Sequence, residues 1–242
     1  TRCSEGRSYG VQERLMENRD RYVAEVIGTF ALVFAGCGAI IVDDLYGGQL
    51  GSVGICIVFG LIVMAMVYSI GNISGAHINP AVTIGFYVAG RFPLRLVVPY
   101  ITCQLVGAVM AGVVLRSLFP GHESLGGTSP AVPVGSALAV EVLLTFILMF
   151  VILNVSTGHK EKGIMAGVAV GGVVALNAMV GGPLTGASMN PARSLGPAIA
   201  ALDLSSMWLY IVGPVIGVVA AWPTCRWIQG RDCCPSVSEG AE

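Results

Sequence analysis

Two copies of the triplet Asn-Pro-Ala combine residues that begin a helix with amides that can bind a passing solute. Asn is a strong helix N-cap and Pro is favoured at the first helical position, so each triplet predicts the start of a helix. The apolar stretches that come next, 82–88 and 194–201, are too short to span a bilayer. We therefore predict two re-entrant half-helices, which are tolerated at membrane depth only where protein buries them or they line a wet cavity. The six residues are Asn79, Pro80, Ala81, Asn190, Pro191 and Ala192.

Two such half-helices, inverted relative to each other, would meet N-terminus to N-terminus in the middle of the membrane. The positive ends of their dipoles would then face one spot. A water or hydroxyl oxygen there would accept hydrogen bonds from both Asn79 and Asn190 and turn its own hydrogens outward. This would interrupt a proton-conducting chain of waters, and the positive ends would repel cations. The pattern predicts a pore for uncharged molecules.

Arg193 follows Asn190 by three residues and would project from the first turn of the second half-helix. A charged residue at membrane depth is costly, so it marks a functional site by default. As a pore residue, Arg193 would donate to a passing oxygen and repel cations. The alternative is an arginine that only supports the structure or extends to the membrane surface.

The composition requires a membrane. Of the 242 residues, 55% are hydrophobic and 11% are charged, whereas a soluble domain has about 25% charged residues. The net charge of -1 gives no indication of nucleic-acid binding. No nucleophile–base pair, phosphate loop or cluster of metal ligands is visible. We therefore expect neither an enzyme nor a cofactor or metal site.

Six apolar stretches are long enough for a membrane helix, which needs about 20 residues. They lie at 22–42, 51–71, 97–118, 133–155, 163–181 and 206–228. Apart from Arg116 and Arg193, the basic residues fall on the side of the two termini, which places both termini in the cytoplasm. We predict a cytosolic arm at 1–21, a channel domain at 22–228 and a cytosolic tail at 229–242.

The two halves of the channel domain, about 22–118 and 133–228, resemble each other. The segment 25–30 recurs at 141–146, and 75–81, which contains the first triplet, recurs at 186–192 at nearly the same offset. Each half has three spans, an odd number, so the second half enters the membrane upside down. In such inverted repeats the site lies near the midplane, between the halves.

The segments 74–83 and 186–197 resemble the paired signatures of the aquaporin (major intrinsic protein) family. The resemblance covers all six spans. It implies an all-α membrane protein with six transmembrane helices, two re-entrant half-helices and an inverted 3+3 repeat. It also implies a homotetramer with one pore in each protomer.

The same resemblance places Phe59, Ala178 and Ala187 beside Arg193 in a selectivity filter. Strict water channels of the family usually have His at the position of Ala178, and glycerol facilitators usually have Asp at that of Ser194. This mixture resembles the nodulin-26-like branch and its microbial relatives, although Phe59 replaces a Trp common in part of that branch. That branch passes water, glycerol and small neutral hydroxides such as arsenous, boric or silicic acid.

Three further polar residues are candidates for supporting the loops. Glu25 and Glu141 are related by the repeat and lie inside spans. They would accept hydrogen bonds from free N–H groups of the loops before the half-helices, which would otherwise be unpaired in lipid. The alternative is a proton relay. His77 is either a fixed hydrogen-bonding residue of its loop or part of a pH-sensitive gate.

Our preferred function is a passive channel of the plasma membrane for water and small uncharged solutes, which excludes ions and protons. A strict water channel is the main alternative. The choice between the two depends on how wide the filter is at Ala178. A coupled secondary transporter is a more distant one, because it needs ionisable groups that the substrate can reach. A closed, structural membrane protein is disfavoured by the intact Asn79, Asn190 and Arg193.

Overall fold

A computed structural model of the chain describes residues 2–156 and 164–229, and only the backbone of 2–17. Within these residues there are eight helices and no strand. They are α1 (Arg2–Leu45), α2 (Gly51–Ser74), α3 (Pro80–Val88), α4 (Leu94–Leu118), α5 (Val134–Val155), α6 (Ala166–Thr185), α7 (Pro191–Ala201) and α8 (Leu209–Gln229). The backbone of the predicted arm, from residue 2, continues into α1. The predicted tail lies outside the described residues from position 230 onward.

Six of these helices are long and apolar enough to cross a membrane. They are α1 over Asn18–Leu45, and α2, α4, α5, α6 and α8 over their full lengths. Each overlaps one predicted stretch, so the prediction of six spans is confirmed. Because successive spans alternate in direction, the start of α1 and the end of α8 lie on one side. We call this the terminal side and the opposite one the far side.

The ends of the spans depart from the prediction where a glycine ends the helix. α2 continues to Ser74 and α6 to Thr185, beyond the predicted ends at 71 and 181. Gly75 and Gly186 follow them with left-handed backbone, at φ 88° and 78°. A left-handed residue at this position is a common helix terminator, and glycine adopts it without strain.

The two short helices α3 and α7 begin at Pro80 and Pro191, immediately after the capping Asn of each triplet. They have 9 and 11 residues, which is about half of what a membrane span requires. The prediction of two half-helices is therefore confirmed. The helices are slightly longer than the apolar stretches because the Pro-Ala pair, and Arg193 in the second copy, are already helical.

The packing of the helices keeps the symmetry of the repeat. α1 packs on α2 and α4, and its counterpart α5 packs on α6 and α8. The half-helix α3 contacts α4 and α8, and α7 contacts α8 and α4 in the same way. The pairs α3–α8 and α4–α7 thereby join the two halves, as do α2–α6 and α3–α7. This set of pairs is unchanged when the halves are exchanged, as an inverted repeat requires.

The two halves approach each other closely at two glycines where α2 crosses α6. A Cβ atom on Gly60 would lie 2.6 Å from the Gly171 carbonyl oxygen, and one on Gly171 would lie 2.5 Å from the Gly60 oxygen. Small residues allow membrane helices to pack backbone to backbone, which supplies the dispersion contacts that hold them together in lipid. No residue larger than glycine fits at this crossing without moving the helices.

We predict that Gly171→Ala destabilises the protein, because its new methyl group meets backbone that cannot rotate away. The cost should be about 1–3 kcal/mol, as for other overpacked sites. Gly172→Ala is the matched control, since a Cβ there meets no atom within 4 Å. Thermal unfolding of the detergent-solubilised protein should show a lower midpoint for Gly171→Ala only. Equal midpoints for the two variants would mean that this crossing is loosely packed.

Candidate functional site

Each triplet Asn caps its own half-helix. The Asn79 side-chain oxygen accepts hydrogen bonds from the N–H groups of Ala81 at 2.9 Å and Val82 at 3.4 Å. Asn190 does the same for the N–H groups of Ala192 and Arg193, at 3.0 and 3.3 Å. These bonds satisfy N–H groups that a helix start leaves without a partner, which is essential where water is scarce.

The amide nitrogens of the same two residues join the halves. Asn79 Nδ2 donates to the Met189 carbonyl oxygen at 2.8 Å, and Asn190 Nδ2 donates to the Ile78 carbonyl oxygen at 2.9 Å. The N-termini of α3 and α7 are thereby held against each other. An amide nitrogen carries two hydrogens. Each Asn also lines an internal cavity, and its second amide hydrogen has no partner among the described residues.

Two buried carboxylates hold the loops that precede the half-helices. Glu25 accepts from the N–H groups of His77 at 2.9 Å and Ile78 at 2.7 Å. Glu141 accepts from the N–H groups of Ser188 and Met189, both at 2.9 Å. Neither carboxylate has any exposed surface. These contacts satisfy loop N–H groups that would each be costly to leave unpaired in a membrane.

The loops present these N–H groups through unusual backbone. Ala76 and Ile78 have positive φ, and so do their repeat counterparts Ala187 and Met189, at 43° to 54°. Left-handed residues alternating with right-handed ones turn successive N–H groups toward one anion. Non-glycine residues adopt this conformation at a cost, so the surrounding bonds must hold it. The sequence gives no indication of these conformations, because none of the four is glycine.

The carboxylates also bind side chains that the sequence analysis did not identify. Glu25 accepts from Ser74 Oγ and from Gln104 Nε2, both at 2.7 Å. Glu141 accepts from Thr185 Oγ1 at 2.7 Å. Ser74 and Thr185 each lie five residues before a triplet Asn. This equal spacing in the two halves is the sequence signal that could have identified them. Gln104 has no such counterpart, because Pro214 takes its place in the second half.

His77 lies against the first half-helix at the terminal side of the cavity. Its Nδ1 is 3.1 Å from the Thr83 hydroxyl, and its ring contacts Phe86, Phe92 and Tyr100 at centroid distances of 4.7, 4.7 and 5.2 Å. These contacts hold the ring in one orientation and favour the fixed loop residue over the gate. In the described part of the chain, no three His, Cys, Asp or Glu residues are grouped as metal ligands would be.

Two cavities meet at the predicted filter. One, of about 130 Å³, extends from the terminal side to the two triplet Asn residues. The other, of about 490 Å³, opens on the far side. Four residues line both cavities and form the ring where they join: Phe59, Ala178, Ala187 and Arg193. The ring comprises an aromatic face, a guanidinium and two methyl groups.

Arg193 is held at this ring by contacts that the sequence analysis did not predict. It is 3% exposed, and its Nη1 donates to the Gly126 carbonyl oxygen at 2.9 Å. Its guanidinium carbon lies 4.9 Å from the centroid of the Phe59 ring, a cation–π distance. Gly126 belongs to the loop between α4 and α5, and a backbone carbonyl leaves no signature in a sequence.

Comparison with known proteins gives matches over most of the chain. The family model described as Major intrinsic protein matches residues 13–222. The chain is similar to Aquaporin NIP1-1 of Zea mays, with 48% identity over 84% of this chain and 72% of the relative. It is also similar to Nodulin-26 of Glycine max, with 46% identity over 84% of this chain and 75% of the relative. The crystal structure of the aquaglyceroporin from Plasmodium falciparum superposes with a TM-score of 0.79 and 26% identity, covering 89% of this chain and 98% of that one.

Replacing Glu141 with Ala should lower the yield of folded protein more than the permeability of each folded molecule. The change leaves two loop N–H groups without a partner, at about 1–3 kcal/mol each. Glu141→Gln should recover part of the yield, because its amide oxygen still accepts. Size-exclusion chromatography gives the folded fraction, and light scattering from vesicles gives the permeability. Normal yield of Glu141→Ala with an altered pH response of transport would instead support the proton relay.

Proposed function

The chain belongs to the major intrinsic protein family of multi-pass membrane channels, and we propose that it passes water and uncharged solutes of glycerol size while excluding ions and protons. This membership confirms the predicted resemblance, including that to the nodulin-26-like branch, and the prediction of a channel rather than an enzyme. The six membrane-length helices and the likeness to a solved aquaglyceroporin confirm the predicted fold as well.

The observation that carries the proposal is the composition of the ring where the two cavities join. Ala178 and Ala187 share this ring with Phe59 and Arg193, and their methyl groups fill only a small volume. The methyl groups offer an apolar wall to the carbon chain of a polyol, and Arg193 offers donors to its hydroxyl oxygens. A strict water channel would need a bulkier or more polar group at one of these positions. The likeness to a protein named an aquaglyceroporin supports the wider filter.

Neutral hydroxides form a second class of proposed solute. Arsenous, boric and silicic acid present hydroxyl groups around a small uncharged centre, as glycerol does around its carbon chain. The same ring would accept them through the donors of Arg193 and the amides of Asn79 and Asn190.

The residues along the cavities favour a channel over a coupled transporter. Their described lining contains no Asp or Glu, and its basic side chains are Arg193 and His77. Glu25 and Glu141 are buried outside it and bonded to the loops. Proton and cation exclusion is assigned to the paired Asn amides, the converging positive ends of α3 and α7, and the charge of Arg193.

The assembly and orientation are part of the same proposal. We assign a homotetramer in the plasma membrane, with one pore in each protomer and the terminal side facing the cytoplasm. The basic residues near that side support the orientation. The arm at 1–21 and the tail at 229–242 would then be cytosolic, flanking a channel domain at 22–228.

Ala178→His should reduce glycerol permeability on the order of tenfold and largely spare water, because the imidazole narrows the ring and adds a polar contact. Stopped-flow light scattering on vesicles containing the purified protein measures both. Ala178→Ser is the matched control, since a hydroxyl adds polarity without comparable bulk. Equal loss of water and glycerol in the His variant would exclude Ala178 from the ring that selects solutes.

Arg193→Ala should admit larger polyols and allow protons or cations to leak, because it removes the charge and the donors at the ring. A barrier lowered by about 1.4 kcal/mol would raise the leak roughly tenfold. A pH-sensitive dye inside vesicles under a potassium diffusion potential measures the proton leak. Arg193→Lys keeps the charge and should leak less than the Ala variant. Unchanged selectivity in Arg193→Ala would remove Arg193 from the constriction.

A further inference from the structure

The loop between α4 and α5 contains a histidine whose two ring nitrogens make different bonds. His122 Nδ1 accepts from the Leu125 N–H group at 3.1 Å, and Nε2 lies 3.2 Å from a carboxylate oxygen of Asp44 on α1. A backbone N–H can only donate, so Nδ1 carries no proton and the ring hydrogen is on Nε2. The neutral ring therefore joins the loop to α1. Its side chain is 9% exposed, whereas that of Asp44 is 58% exposed.

The residues after His122 connect its hydrogen bond with Leu125 to Arg193 at the pore wall. Leu125 has a left-handed backbone, at φ 50°, and a fully buried side chain. Gly126 follows at φ 68°, and a Cβ there would lie 2.6 Å from the Cys37 carbonyl oxygen, so this position requires glycine. The Gly126 carbonyl accepts from Arg193 Nη1. Among the described residues it is the one hydrogen-bond acceptor found for that guanidinium.

We propose that His122 is a positioning residue that holds Arg193 at the pore wall through Leu125 and Gly126, and that its protonation releases Arg193 into the lumen. The inference rests on the proposed role of Arg193 in selecting solutes. An imidazolium has a donor on both nitrogens. Its Nδ1–H would face the Leu125 N–H, so that bond is lost while the bond to Asp44 gains charge. The left-handed turn at Leu125 then loses one of its supports, and the Gly126 carbonyl moves.

The charged groups around His122 confine the change to this turn. Asp44 faces the ring from α1 and keeps its hydrogen bond in both states. Arg116 on α4 donates to the backbone carbonyls of Pro120 and His122, at 3.2 and 2.9 Å, and does not depend on the ring. Asp43 is occupied by the N–H groups of the α1–α2 connection, and the neighbouring Glu123 is exposed.

A released guanidinium narrows the lumen for glycerol more than for water. The ratio of glycerol to water permeability of the wild-type channel should therefore fall as the pH on both sides of the vesicle is lowered from about 7.5 to about 5.5. Stopped-flow light scattering on the same vesicles measures both permeabilities at each pH.

Two variants separate positioning from a general effect on folding. In His122→Asn the side-chain oxygen can take the place of Nδ1 as acceptor but does not titrate, so the ratio should stay at its neutral-pH value throughout. His122→Ala has no acceptor and should show the low ratio at every pH. Glu123→Gln is the control on the same loop and should keep the wild-type pH response.

The outcomes distinguish a failure of this inference from a failure of the proposed function on which it rests. A wild-type ratio that does not change with pH, or an Asn variant that responds like the wild type, overturns the inference. If His122→Ala does not fold, the comparison of wild type with His122→Asn still decides it. Unchanged selectivity in Arg193→Ala, or exclusion of glycerol by the wild type at both pH values, overturns the proposed filter and the inference together.

Discussion

Irregular backbone in the middle of a bilayer must find all its hydrogen-bond partners within the protein, and this structure is organised around that requirement. The two loops that lead to α3 and α7 expose N–H groups that no lipid can bind. Glu25 and Glu141 accept from them, and Asn79 and Asn190 cap the half-helices. Each of these four side chains is at most 5% exposed. Without these acceptors, the loops before the half-helices would bury unpaired N–H groups at a high cost in free energy.

The proposed filter lies where the two halves of the repeat differ. The repeat duplicates the helix caps and the buried carboxylates, and these form a nearly symmetric centre. Arg193 occupies the position that Val82 has in the first half, so the first half-helix has an apolar side chain where the second has a charge. Phe59 and the alanines complete an asymmetric ring around it. In the proposed channel, selectivity would depend on substitutions within a symmetric framework, which can remain constant while the ring changes.

The sequence was sufficient for the framework because its signals are local or repeated. The triplet Asn-Pro-Ala predicts the start of a helix from three adjacent residues. The duplication of Glu25 as Glu141 indicates that the two carboxylates have a common role. The bonds between the halves were not predictable in the same way. The Asn79 amide meets the Met189 carbonyl 110 positions away, and the Gly126 carbonyl meets Arg193 across a loop. Backbone acceptors have no residue type, so only the folded chain identifies them.

The most direct test of the proposed filter is the permeability of the unmodified channel to water and to glycerol. The purified protein in lipid vesicles, followed by stopped-flow light scattering, gives the osmotic water flow and the glycerol entry from the same preparation. An Ala178–Ala187 ring predicts fast entry of both, well above empty vesicles. Fast water flow with glycerol excluded would contradict it. That result would mean that Phe59 and Arg193 make the ring too narrow for glycerol despite the two alanines.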